Sequence, residues 1–285
     1  MKVLLTGGRG MLGRTLTALY KDLEVLPTDL PEADICDRSA IDALLRKEQP
    51  DAVIHCAAMT AVDLCESQSE RAYLLNACGT ENVAEVCHAS KIRLIAISTD
   101  YVFDGTLDRP YNEFDKADGG NTVYGKSKFA GEEAIRKICP DHVICRLSWL
   151  YGTGGPSFVH TMMKLADGSR KELKVVADQI GNPTSCLAAG RQIREILFRP
   201  ELKGTFHTTC EGESSWAEFA MEIFRLASIH QKVIPCTTQE FPRAAARPAN
   251  SRLEKMRFRQ EGLPPMPHWK DALAEFMGTE FPSGR

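Results

Sequence analysis

Short apolar runs alternate with segments of helical period from the first residues onward. KVLLT (2–6) is continuous enough to be a strand covered on both faces, whereas Leu12, Leu16 and Leu19 in MLGRTLTALYKD fall on one side of a helix. EVLPTD (24–29) predicts a second strand, and SAIDALLRKEQP predicts a helix with Ser39 as N-cap that ends at Pro50. DAVIHCAA (51–58) reads as a third strand, SERAYLLNACGTENVAEVCHAS as helix, RLIAIST (93–99) as a fourth strand, NTVYGKSKFAGEEAIRKI as helix, and HVICRLSWLYG (142–152) as a fifth strand. Strands and helices alternating in this way pair in parallel, with helices on both faces of the sheet. The predicted fold is α/β, a Rossmann-type doubly wound parallel sheet forming a dinucleotide-binding domain over residues 1–155. Beyond it the pattern loosens. SFVHTMMKLA and SSWAEFAMEIFRLA suit amphipathic helices, KVVAD, GTFHTT and KVIPCT suit short strands, and prolines become frequent. Residues 156–285 are expected to form mainly a smaller α/β substrate lobe, with some segments crossing back to the first.

Open parallel sheets bind ligands beyond the carboxyl ends of their strands. That rule selects Gly7 after the first strand, Asp29 after the second, Thr60 after the third, Thr99 after the fourth, and Trp149 and Tyr151 at the end of the fifth. TGGRGMLG (6–13) places Gly7, Gly10 and Gly13 between the first strand and its helix. Glycine there lets backbone turn tightly against a pyrophosphate, whose charge the helix N-terminus favours. Asp29 stands where such folds hold the adenosine ribose, which favours NADH, while Arg9 in the glycine loop would admit NADPH. Both reduced cofactors remain open on these residues.

Composition narrows the partners. A net charge of −3 gives no broad attraction to nucleic acid or to an anionic membrane. No apolar run approaches the ~18 residues of a membrane span, and VLLT is too short for a secretory signal, so a cytoplasmic protein is expected. The ten cysteines form no C-x-x-C pair and share no zinc spacing with the histidines, so no metal site is expected and most should pack as small apolar groups.

YGKSK (124–128) holds a tyrosine and two lysines on a predicted helix. Residues four apart share a helical face, so Lys128 accompanies Tyr124 and Lys126 points away. A free phenol titrates near pH ~10. An ammonium ~4 Å away at an effective dielectric of ~20 contributes roughly 4 kcal/mol, or about 3 pKa units. Lys128, with an oxidised nicotinamide, is therefore expected to bring Tyr124 toward neutrality.

TGGRGMLG, STDYVF and YGKSK together resemble the extended short-chain dehydrogenase/reductase superfamily. AAMTAVD (57–63), STDYVFDG (98–105), VYGKSKFAGE (123–132), RLSWLYG (146–152), VVADQIGNPT (175–184) and AARPANSRL (245–253) narrow it to the dTDP-4-dehydrorhamnose reductase family, in order and from residue 1 to about 277. The resemblance implies NAD(P)H-dependent reduction of the C4 keto group of dTDP-4-dehydro-L-rhamnose, a step toward bacterial surface polysaccharide. It implies Tyr124 as general acid, Lys128 on the nicotinamide ribose and Thr99 on the reacting oxygen. Gly10, Met11, Leu12, Asp29, Asp34, Ile35, Ala58, Met59 and Thr60 would line the cofactor, and Asp100 and Trp149 would contact the dTDP-sugar. Tyr101 is a ligand contact or a pocket wall; Arg247 and Arg252 are a diphosphate clamp or a solvated cluster. Family members form homodimers, some bridged by magnesium on C-terminal acids, for which Glu275 and Glu280 are available. Related sugar-nucleotide dehydratases carry T-D-E after the fourth strand; here Tyr101 replaces the carboxylate base, which favours reduction over elimination. A 4-epimerase and a non-catalytic dinucleotide-binding subunit are the competing readings.

Overall fold

In the computed structural model, which describes residues 1–282, the chain follows the predicted alternation through its first half. β1 (Lys2–Thr6), α1 (Met11–Leu19), β2 (Glu24–Thr28), α2 (Arg38–Glu48) and β3 (Ala52–His55) come first. α3 (Val62–Ser67), α4 (Ser69–Tyr73), a π-helical turn at Leu74–Gly79 and α5 (Thr80–Ser90) lead to β4 (Arg93–Thr99). α6 (Val123–Ile138) and β5 (His142–Leu147) follow. The remaining elements are β6 (Leu150–Tyr151), α7 (Phe158–Leu165), β7 (Glu172–Val176), β8 (Ile180–Gly181), β9 (Thr184–Ser185) and α8 (Cys186–Leu197). After them come β10 (Gly204–His207), β11 (Ser214–Ser215), α9 (Trp216–Leu226), β12 (Lys232–Cys236), α10 (Met256–Gln260) and α11 (Trp269–Glu280).

The main sheet runs β10-β5-β4-β3-β1-β2, with every pair parallel. Strand order reverses between β1 and β3, which opens a crevice at their carboxyl ends. The alternation inside β1 shows why the strand is apolar throughout. Val3 and Leu5 enter one core with Leu12 and Leu16 of α1, while Leu4 enters the opposite core with Ile41 and Leu45 of α2. Each such side chain, fully withdrawn from water, contributes about 2 kcal/mol.

Several local expectations differ from the structure. Asp37, not Ser39, caps α2: its carboxylate accepts the amides of Ser39 and Ala40 (2.9 and 3.2 Å). The helix expected from Ser69 to Ser90 is helical throughout, with a π-helical turn at Leu74–Gly79 inside it. β5 stops at Leu147, Trp149 takes a left-handed backbone (φ 47°), and β6 pairs with β9 outside the main sheet. GTFHTT forms a strand as expected, β10, and crosses back to the main sheet beside β5. α8 packs against α1, and the Tyr20 hydroxyl donates to the Gly190 carbonyl (2.7 Å).

Candidate active site

A cleft of about 550 Å³ runs along the carboxyl ends of the central strands. Gly7, Gly10, Met11, Leu12 and Gly13 line one end with Asp29, Asp34 and Ile35; Ala58 and Thr60 lie on its wall; Thr99, Asp100, Tyr101, Tyr124 and Trp149 line it beyond β4 and β5. The glycine turn is shaped by close approach. Gly7 has φ 68°, and a Cβ on Gly13 would stand 2.4 Å from the Gly7 carbonyl oxygen. Gly10 is the N-cap of α1 and offers no side chain to its first amides. Uncapped amides at a helix N-terminus suit a pyrophosphate, so these residues fit a dinucleotide. Asp29 accepts the amides of Arg9 (3.1 Å) and Leu30 (3.0 Å), while the Arg9 guanidinium is directed to Glu32 (2.9 Å) and the Leu30 carbonyl (2.7 Å). Asp34 accepts the Cys36 amide (2.9 Å).

α6 carries Tyr124, Lys128 and Glu132 at intervals of four, all buried, and leaves Lys126 exposed. Lys128 lies behind the cleft wall, where its ammonium donates to the Ile97 carbonyl of β4 (2.8 Å). Burial lowers its pKa to about 8, against the opposing charge of Glu132. Tyr124 is itself enclosed. Burial raises its phenol above the ordinary tyrosine range, and the Thr99 hydroxyl only partly offsets this. The charge of Lys128 also bears on His55 and Cys56, whose imidazole it helps to keep neutral and whose thiol it lowers against burial. Thr99 Oγ1 donates to Asp100 (2.9 Å), and the Tyr101 ring meets Tyr124 edge-on at 5.6 Å.

Besides Lys128, two further expected residues, Met59 and Arg247, stand outside the cleft lining. Met59 packs against Tyr124, and its amide and carbonyl are both held by the Asn76 side chain (2.7 and 3.1 Å). Arg247 makes a bidentate ion pair with Asp63 and donates to the Ala245 carbonyl, which fastens its own segment to α3. Arg252 is likewise engaged, with Asn250, Glu213 and the Asp108 carbonyl. Glu275 pairs with Arg191, and Glu280 accepts from Thr153 and meets His160. Among the described residues no three His, Cys, Asp or Glu side chains gather as metal ligands.

Sequence reasoning passed over three residues. Asn76, in the π-helical turn, also donates to Ser127 Oγ (3.0 Å), and Ser127 donates to the Tyr124 carbonyl (2.9 Å), so one amide ties the segment after β3 to α6. Its signal was an asparagine within an otherwise apolar helical face. Glu132 and Arg146 form a buried bidentate pair (2.9 and 2.7 Å). Burial alone would raise the Glu132 carboxyl, but Arg146 and Arg136 outweigh it and hold the pKa at about 2.

A dinucleotide cradle at one end of a cleft, and a phenol, a hydroxyl and a buried ammonium further along it, define a nicotinamide-dependent oxidoreductase of the short-chain dehydrogenase/reductase class. The chain belongs to the family described as the RmlD substrate binding domain, which matches residues 1–280. A dTDP-4-dehydrorhamnose reductase from Streptomyces griseus is 39% identical over 95% of this chain and 91% of its own. The solved dTDP-4-dehydrorhamnose reductase of Clostridium acetobutylicum superposes with a TM-score of 0.94 at 41% identity, covering 98% of this chain and 99% of that one. The Bacillus anthracis enzyme, solved in complex with NADP, gives a TM-score of 0.94 at 38% identity over 97% of this chain and 99% of that one.

Proposed function

We infer that this protein is a reductase that uses NADPH or NADH to convert the C4 keto group of dTDP-4-dehydro-L-rhamnose to the alcohol of dTDP-L-rhamnose. The observation that carries the reading is Tyr124 in the cleft lining beside Thr99, with Lys128 one helical turn along the same buried face. When bound, the reduced nicotinamide supplies the hydride that adds to C4 and leaves as the oxidised form. Thr99 hydrogen-bonds the keto oxygen, and Tyr124 gives that oxygen its phenolic proton, so C=O becomes CH–OH. A phenol whose pKa is raised by burial is fully protonated at neutral pH, the state a general acid requires. Lys128, charged at neutral pH, binds the nicotinamide ribose. Gly7, Gly10, Met11, Leu12 and Gly13 receive the pyrophosphate, Asp29 the adenosine ribose, and Asp34, Ile35, Ala58, Met59 and Thr60 complete the cofactor wall. Asp100, Tyr101 and Trp149 contact the sugar. No helix among the described residues is long and apolar enough to cross a membrane; we read the enzyme as a cytoplasmic homodimer, for which sedimentation is the check.

The decisive assay is oxidation of NADPH or NADH on addition of dTDP-4-dehydro-L-rhamnose, with product analysis. Tyr124→Phe is expected to lower kcat by ~10² or more while cofactor affinity persists. An undiminished rate removes Tyr124 from the mechanism.

A further inference from the structure

Trp149 and Trp216 lie face to face, with ring centroids 3.5 Å apart and planes 4° from parallel. Aromatic pairs left to themselves favour offset or edge-on contacts, so the surroundings must set this one. Each indole N–H is tied to its own acceptor. Trp149 Nε1 donates to Ser251 Oγ (3.1 Å), and Trp216 Nε1 donates to Gln179 Oε1 (3.1 Å). Gln179 is fixed in turn, donating to Thr238 Oγ1 (3.0 Å), which donates to Asp178 (2.7 Å). Gly181 leaves the room Trp149 needs, since a Cβ there would meet Cε2 of the indole at 2.5 Å. The backbone of Trp149 takes φ 47°, a conformation that a bulky residue keeps only when its surroundings impose it.

Of the two indoles only Trp149 lines the cleft; Trp216, the first residue of α9, stands behind it against Phe158 (4.7 Å). We propose that Trp216 is a positioning residue for the sugar end of the cleft, stacking on Trp149 to hold that indole as a fixed wall against the keto-sugar of a nucleotide sugar. The proposal rests on the reductase reading given above. Gln179, Trp216 and Ser251 all come from the second half of the chain, so the glycine turn and the first five strands do not depend on them. The stack therefore bears on affinity for the sugar and leaves hydride transfer and dinucleotide binding alone. Ser251 is fixed in turn, its hydroxyl donating to the Ile180 carbonyl (3.4 Å).

Trp149, Trp216 and Trp269 are the three tryptophans of the chain, so the spectroscopy is readable. Two stacked indoles give an exciton couplet in circular dichroism. Trp216→Leu is expected to abolish the couplet and raise the KM for dTDP-4-dehydro-L-rhamnose about tenfold, the scale of one aromatic pair. Its kcat and its Kd for NADPH should stay close to those of the unaltered protein. Trp216→Phe, which keeps a ring against Trp149, should recover part of the KM. Loss of the couplet with an unchanged KM overturns the proposal, as does a joint loss of kcat, sugar affinity and NADPH affinity. If Trp216→Leu does not fold, Trp216→Phe and Gln179→Met read the same split. Absence of turnover by the unaltered protein overturns the reductase reading instead; the couplet and quenching of tryptophan emission by dTDP then decide whether the stack sets binding at this wall.

Discussion

The carboxyl of Asp100 is fully withdrawn from water, with Oδ1 accepting the Thr99 hydroxyl and Oδ2 without a hydrogen-bond partner. Burial raises its pKa to about 7, with the Thr99 hydroxyl and the nearby Ser251 acting the other way. In the unfolded chain the same group titrates near ~3.9. Between those values the folded protein keeps a proton that the unfolded chain releases. The contribution of this group to stability is therefore present at low pH and is lost as pH rises through about 7. Asp100→Asn removes that slope. Urea unfolding at pH 5 and pH 8 should show a difference between the two pH values that is smaller in the variant by an amount on the order of 1 kcal/mol or more. Identical pH dependence in both proteins would mean that Asp100 is solvated. The motif STDYVF marked Thr99 and Asp100 as candidates, and both line the cleft. It did not tell that the carboxyl would be sealed, because burial depends on segments that arrive from elsewhere in the chain, among them Ser251.

At the scale of the element, α6 joins the reaction to the frame. Its N-cap, Thr122, accepts the Gly125 amide through its hydroxyl, and its buried face presents Tyr124, Lys128 and Glu132 in succession. Glu132 fastens the helix to β5 through Arg146, whose guanidinium also lies over the Phe103 ring at 4.9 Å. Removing one partner of a buried ion pair leaves the other uncompensated, at a cost of about 3–5 kcal/mol. Glu132→Gln should therefore lower unfolding stability by about 3 kcal/mol in denaturant titration, and it should disturb Lys128, whose charge Glu132 supports. A loss below about 1 kcal/mol would show the pair to be solvated. The spacing of four between tyrosine and lysine was legible because helical period is local. The pairing of Glu132 with Arg146 was not, since a strand follows the helix through a loop whose length and direction set which residues meet.

For the whole molecule, the position of β10 decides what can fold alone. It completes the main sheet against β5, although nearly sixty residues separate them, and α8 covers the outer face of α1. A fragment ending at residue 155 would expose the edge of β5 and the apolar face of α1 that packs on α8. Such a fragment is expected to aggregate or to unfold without a cooperative transition, whereas the full 285-residue chain is expected to unfold cooperatively. Calorimetry of both tests this, and a soluble, cooperatively folding 1–155 fragment would show that the first five strands suffice.

The amino-acid order alone determined the alternation of strands and helices, the glycine turn, and the helical face shared by Tyr124 and Lys128. These depend on period, backbone freedom and spacing, which act over a few residues. Only the tertiary structure decided that Trp216 backs Trp149, that Asp63 engages Arg247, and that burial raises the Tyr124 phenol. Each of those facts depends on which distant surfaces close around a group and exclude water from it, and no local pattern in the chain encodes that.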